Sequence, residues 1–196
     1  MPVYRRPHRP GATIFFTVAL RDRSSDLLIR EVDALRAAVR EVRADRPFRI
    51  DAWVVLPDHL HAVWTLPEGD AAYPVRWAAI KARVSRGLEG RELRPSDVAR
   101  RENGIWQRRF WEHHIRDEAD LTAHVRYCWW NPVKHDLVAA PTEWPHSSIH
   151  RDIRAGRVDP EWTTAPSMPV GCASAHHGAT LRGESGGGER RFRMVR

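Results

Sequence analysis

The sequence predicts an α+β sandwich of ferredoxin-like type, with a central antiparallel sheet and helices packed on it. Three observations carry this expectation. Apolar, β-branched runs and stretches of helical periodicity follow one another in the order strand–helix–strand–strand–helix–strand–helix. The middle two strands are separated by Pro57 and Asp58, a turn signal that joins antiparallel neighbours. The chain has 196 residues, enough for one domain with a sizeable core and a tail.

Each element has its own signal. Residues 13–20 are almost continuously apolar or β-branched and read as a buried strand. Ser24, Ser25 or Asp26 can cap the helix that follows. In that helix Val32, Leu35, Val39 and Val42 recur at spacings of three and four, giving one apolar stripe, and Pro47 ends it. Residues 48–56 and 59–66 form the predicted hairpin. Residues 75–88 read as a basic helix with Trp77, Ile80 and Val84 turned inward, and Tyr73 is read into the loop before it. The charged stretch 89–104 is expected to be a flexible surface loop, and residues 104–115 a fourth strand. Residues 117–130 read as a helix with acidic residues in its first turn, where the helix dipole favours them. The domain is expected to span 1–165. From 166 to 196 Pro, Gly, Ser and Ala dominate, and such a tail buries too little apolar surface to offset its ordering entropy.

Charge narrows the function. The net charge is +7 and the pI about 10.3, and 30 of the 32 basic residues are arginine, with Lys81 and Lys134 the exceptions. Arginine pairs bidentately with phosphate and stacks on flat rings, which points to nucleic acid ahead of an acidic membrane; genome base composition is the competing explanation. No apolar run approaches the roughly 20 residues of a membrane-spanning helix, and the first eleven residues hold no signal-peptide core, so a cytoplasmic location is expected. Cys128 and Cys172 have neither metal-type spacing nor the look of a disulfide framework.

Three features can carry chemistry. His59 and His61 stand at i and i+2 of a strand, so both imidazoles project from one face and can chelate a divalent metal; two ordinary core or surface histidines are the alternative. Tyr127 and Asn131 share a helix face, with His124 one turn earlier. A phenol can be a nucleophile and an amide oxygen a third metal ligand, whereas the plainer reading is a core aromatic and an Asn-Pro pair that caps a new helix. In residues 105–111 basic and aromatic residues interleave. Trp106 or Phe110 can stack on unpaired bases while Arg108 or Arg109 holds phosphate, or the aromatics are simply buried.

Four motifs, taken together, resemble a known family. Val54-Val-Leu-Pro-Asp-His-Leu-His61, Ile105-Trp-Gln-Arg-Arg-Phe-Trp-Glu-His113, Arg116-Asp-Glu118 and Tyr127-Cys-Trp-Trp-Asn-Pro-Val-Lys-His135 look like the REP-associated tyrosine transposases, of the single-tyrosine HUH superfamily. Trp144-Pro-His-Ser-Ser148 resembles that family's C-terminal helical segment, and the likeness spans about residues 3–152. It implies a ferredoxin-like fold with His59, His61 and Asn131 as ligands of Mg²⁺ or Mn²⁺ and Tyr127 as nucleophile. It implies cleavage and transfer of single-stranded, hairpin-bearing DNA through a 5′-phosphotyrosine. Backbone contacts are expected from Lys81 and Arg83 on the basic helix and from Arg108 and Arg109. The chain departs from the family pattern at Asp58, where Asn is frequent, at Cys128-Trp129-Trp130, where Ile-His-aromatic is usual, and at Asp136, where Gly is common. A DNA-binding regulator without turnover and a nuclease that uses water are the alternative functions.

Overall fold

A computed structural model of the chain describes residues 8–88 and 104–166. Its strands are β1 (Thr13–Ala19), β2 (Arg49–Val55), β3 (His59–Thr65) and β4 (Trp111–His114). Its helices are α1 (Leu27–Arg30), α2 (Val32–Asp45), α3 (Tyr73–Arg86), α4 (Glu118–Lys134) and α5 (Ile149–Arg154), with a short 3₁₀ turn at Pro141–Glu143. The strands form one antiparallel sheet in the order β2-β3-β1-β4. This is the predicted ferredoxin-like arrangement. The β2–β3 hairpin is sequential, and the connections through α2 and α3 cross over the sheet so that β1 and β3 become its centre.

Alternation along the strands splits the core in two. Ile14, Phe16 and Val18 of β1 and Leu60, Ala62 and Trp64 of β3 face α2 and α3. Phe15 of β1, Ala52 and Val54 of β2 and Val63 of β3 face α4 and α5, where they meet Tyr127, Cys128, Trp129 and Ile149. A sheet covered on both faces buries both sets of side chains, which is why β1 reads as a nearly continuous apolar and β-branched run. On the first face Trp64 stacks on Trp77, centroids 4.2 Å apart. Arg76 is buried beneath α3; it pairs with Asp70 at 2.6 Å and donates to the backbone oxygens of Arg46 and Pro47.

Four predicted readings shift, each for a physical reason. The fourth strand is four residues long and not twelve: Trp106 forms only an isolated bridge with Leu20, and the chain then bulges. Trp106 and Phe110 both turn onto the α2/α3 core, where Lys81 lies against their rings and donates to the Gln107 oxygen at 3.0 Å. Tyr73 is not in a loop. Pro74, at the start of the helix, sets the first turn of α3, and Tyr73 is buried by it. Helix α4 runs on through Pro132 to Lys134, so Asn131 is a helix-interior residue and not the cap of a new helix. Residues 144–148 do not form a helix: Ser147 bridges Val54 at the edge of β2, and helix resumes only at Ile149. The loop expected over 89–104 lies, up to residue 103, outside the described residues, and so does the tail from 167 onward.

The end of α4 explains one departure. The Asp136 amide bonds to the Val133 oxygen and the Leu137 amide to the Pro132 oxygen, a Schellman closure in which Asp136 takes φ +54°. That left-handed position favours glycine. The start of α4 is pinned differently. Asp120 accepts from His113 of β4 (2.8 Å) and from the Arg116 backbone and guanidinium (3.0 Å each), and its second oxygen lies 3.1 Å from His124 Nδ1. Burial opposes ionisation of this carboxyl, but the Arg116 and His113 hydrogen bonds outweigh it and hold its pKa well below the ordinary value.

Asp136→Gly is expected to raise stability by about 0.5–1 kcal/mol in urea unfolding, because it removes left-handed strain. Asp120 has a folded pKa below its unfolded one. Its contribution is therefore complete above about pH 4 and is lost as pH falls toward the folded pKa. Urea titrations from pH 5 to pH 2 should show wild type losing more stability on acidification than Asp120→Asn. Equal slopes would mean that the carboxylate does not hold α4.

Candidate active site

Strand β3 sends His59, His61 and Val63 toward α4, and Leu60 and Ala62 to the other face. Both imidazoles are buried, and their centroids lie 5.0 Å apart. Each uses Nδ1 on a protein neighbour. His59 Nδ1 is 2.7 Å from Asp58 Oδ1, and His61 Nδ1 is 2.9 Å from the hydroxyl of Thr17, its register partner on β1. Asp58 is gripped in turn by Arg23 at 2.6 Å. Its burial opposes ionisation, but the His59 hydrogen bond and the positive charge of Arg23 hold its pKa below the usual carboxylate value. A carboxylate only accepts, so in the neutral ring Nδ1 of His59 carries the proton and Nε2 the lone pair. That tautomer is the one a metal ligand needs.

Helix α4 lays one face over this pair. Tyr127 and His135 are eight residues apart, with Asn131 midway between them. The Tyr127 ring lies 5.3 Å from the His61 ring, and the His135 ring 5.0 Å from the His59 ring. Asn131 shares their helix face, midway between the two residues whose rings each meet one imidazole. It is fully buried; its Nδ2 donates to the Tyr127 backbone oxygen at 3.3 Å, and its Oδ1 accepts no hydrogen bond among the described residues. Lys134 donates to the Tyr127 hydroxyl at 3.2 Å and lies 5.0 Å from the ring centre. Burial above all, with the Lys134 charge beside it, pushes the His135 pKa down to about 4, so this ring is neutral at pH 7.

Two buried Nε2 atoms and one amide oxygen without a donor fit a divalent cation, as does the mixed nitrogen and oxygen donor set. A different group, His113, Asp120 and His124, brings its ligand atoms within 4.8 Å of one another. There the carboxylate is already engaged by Arg116 and His113, and the group serves to fasten α4 to β4.

The remaining predicted residues are scattered. Lys81 is held against Gln107, and Arg83 pairs with Glu41 and Asp45 of α2. Arg108 and Arg109 are exposed. Trp106 is buried in the core, and Phe110 packs against it. Guanidinium groups gather elsewhere: Arg36, Arg40, Arg43, Arg49 and Arg151 line a groove of about 570 Å³ along the outer edge of β2. Sequence reasoning missed this groove, because α2, β2 and α5 supply it jointly. It also missed Lys134, whose spacing of seven from Tyr127 was a usable signal, and Thr17, which only the strand register reveals.

Comparison with known proteins gives the family. No protein-family model matches the chain. Over 164 residues it is 45% identical to the REP-associated tyrosine transposase of Escherichia coli (strain K12), covering 83% of this chain and 91% of that one. A putative REP-associated tyrosine transposase of Haemophilus influenzae (strain Rd) is 40% identical over 172 residues, covering 87% and 98%. The solved structure of a REP-associated tyrosine transposase bound to a REP hairpin superimposes with a TM-score of 0.76 at 44% identity, over 84% of this chain and 93% of the other. Identity at this level across most of both sequences, on the same fold, makes the chain a member of the REP-associated tyrosine transposase family.

Proposed function

We propose that the chain cleaves and rejoins single-stranded DNA beside a hairpin, through a covalent 5′-phosphotyrosine on Tyr127. One observation carries this reading: the phenol of α4 faces the imidazole pair of β3, with the Tyr127 and His61 rings 5.3 Å apart. The family relationship supports it, and so does the hairpin bound by the solved relative.

In this reading His59, His61 and Asn131 hold Mg²⁺ or Mn²⁺. When bound, such an ion supplies Lewis-acid polarisation of a non-bridging phosphate oxygen. The protein does the rest. Tyr127 attacks phosphorus as its phenolic proton passes to solvent; a Tyr–O–P bond forms, the P–O3′ bond breaks, and the 3′ oxygen takes a proton from water and leaves as a hydroxyl. One phosphoester replaces another, so no external energy source is required, and a 3′-hydroxyl can reverse the step. The Lys134 ammonium sits beside the phenolic oxygen. It stabilises negative charge there both when Tyr127 attacks and when it later departs. Asp58 and Thr17 fix the orientation of the two rings.

The strand backbone is held by Arg108 and Arg109 and by the arginine groove at β2. Lys81 braces Gln107 beside Arg108, and Arg83, paired with Glu41 and Asp45, would have to exchange a carboxylate for a phosphate to join them. No helix among the described residues is long and apolar enough to cross a membrane, and we place the reaction in the cytoplasm, on nucleoid DNA.

Incubation of a hairpin-bearing oligonucleotide with the protein and Mn²⁺ should give an adduct that survives denaturing gel electrophoresis. Tyr127→Phe is expected to abolish it. Cutting by that variant without any linkage would favour water as nucleophile, and binding without adduct on any hairpin would favour a regulator. His59→Ala and His61→Ala are expected to lose the adduct while retaining salt-sensitive binding. Lys134→Met should slow adduct formation by about 10²-fold with little change in affinity. Arg40→Ala should lower the salt slope of binding by about 0.7, the value of one single-strand phosphate contact.

A further inference from the structure

A small cleft opens beside His59. Its volume is about 300 Å³, and Arg23, Ser24, Ser25, Asp58, His59 and His135 contribute to its wall. The wall holds short hydroxyls, imidazole, the apolar Leu56, Pro57 and Leu137, two carboxylates (Asp58, and Asp26, which pairs with Arg30 at 2.8 Å) and one guanidinium, that of Arg23. The guanidinium is the positively charged group best placed to meet an anion there. Arg23 reaches Asp58 Oδ2 through Nε at 2.6 Å, while its side chain remains 38% exposed. An arginine bonded through Nε still presents its two terminal nitrogens as a fork, the geometry that matches phosphate. The other oxygen of the same carboxylate lies 2.7 Å from Nδ1 of His59. The buried imidazole is thus joined, through one carboxylate, to a half-exposed guanidinium that borders a cleft.

We propose that this cleft is the subsite for a phosphate flanking the scissile bond, with Arg23 as its ligand and Asp58 as the positioning residue that couples it to His59. This rests on the reading of His59 as a metal ligand. Two consequences separate the parts. Asp58 fixes the ring of His59 and enriches its Nε2 lone pair, so it sets metal affinity in the absence of DNA. Arg23 neutralises one backbone charge, so it sets strand affinity at one phosphate.

Two measurements test it, neither of which uses turnover. In the first, Mn²⁺ binding to the protein alone is followed by electron paramagnetic resonance. Asp58→Ala is expected to weaken binding 10- to 100-fold, and Asp58→Asn to recover most of that loss. Equal affinity in all three proteins overturns the positioning role. His59→Ala serves as the control: if it leaves Mn²⁺ binding unchanged, the metal reading itself fails. In the second, neutral methylphosphonates replace, one at a time, the phosphates of the single-stranded flank of a hairpin oligonucleotide that wild type binds. At one position wild type should lose about tenfold in affinity, whereas Arg23→Ala, already weaker by that factor, should lose nothing more. If Arg23→Ala and wild type respond alike at every position, Arg23 does not hold a phosphate. That result would leave Tyr127 chemistry untouched, since the adduct assay reports on it separately.

Discussion

The packing of α4 across the open face of the sheet is the contact on which the rest depends. Phe15, in the middle of β1, is its fulcrum: its ring lies within 6 Å of His61, His124 and Tyr127. A close-packed residue at that point fixes the height of the helix above the strands and with it the separation of phenol and imidazole. The helix is further held at both ends. Asp120 ties its first turn to His113 and Arg116, and the Schellman closure at Asp136 ends it just after His135. A site built on two regular elements and fastened at three points is pre-organised, which is what in-line attack on a phosphate demands.

Electrostatics divides the arginines into two populations. Some serve the fold: Arg76 is buried on Asp70 and two backbone oxygens, and Arg151 clamps the oxygens of Ile50 and Asp51 at the sheet edge. Others remain exposed, including Arg40 in the β2 groove and Arg108 and Arg109 ahead of β4. Net charge reports both populations alike, so it announces an anionic partner without saying where that partner lies. Arg23 belongs to both, since it binds Asp58 and borders a cleft.

The departures from the family pattern have local explanations. Cys128 is buried in the α4 core, and Trp129 reaches the Ser148 hydroxyl at 3.1 Å while packing against Trp162. These residues fill space away from the imidazole pair. Asp136 bears a positive φ that glycine would take without strain. Asp58 touches the site itself and changes what surrounds His59.

Elements and faces were legible in the sequence because periodicity is a local property. The repeats of Val32, Leu35, Val39 and Val42, and the i, i+2 pairing of His59 and His61, need only neighbours along the chain. Spacing likewise put Tyr127 and Asn131 on one helix face. What spacing could not decide was whether the helix continued through Pro132, whether Trp106 and Phe110 faced solvent or core, and how long the fourth strand ran. The first was settled by the closing bonds at Asp136 and Leu137, and the aromatics and the strand by contacts distant in sequence, such as Lys81 reaching across to Gln107. The same holds for Thr17 behind His61, Arg23 behind Asp58 and the arginines gathered along β2. Local sequence determined which residues could do the chemistry, because side-chain direction follows from backbone period. Only the tertiary structure decided which of them meet, because the strand order β2-β3-β1-β4 and the seating of α4 depend on contacts between segments that no local pattern records.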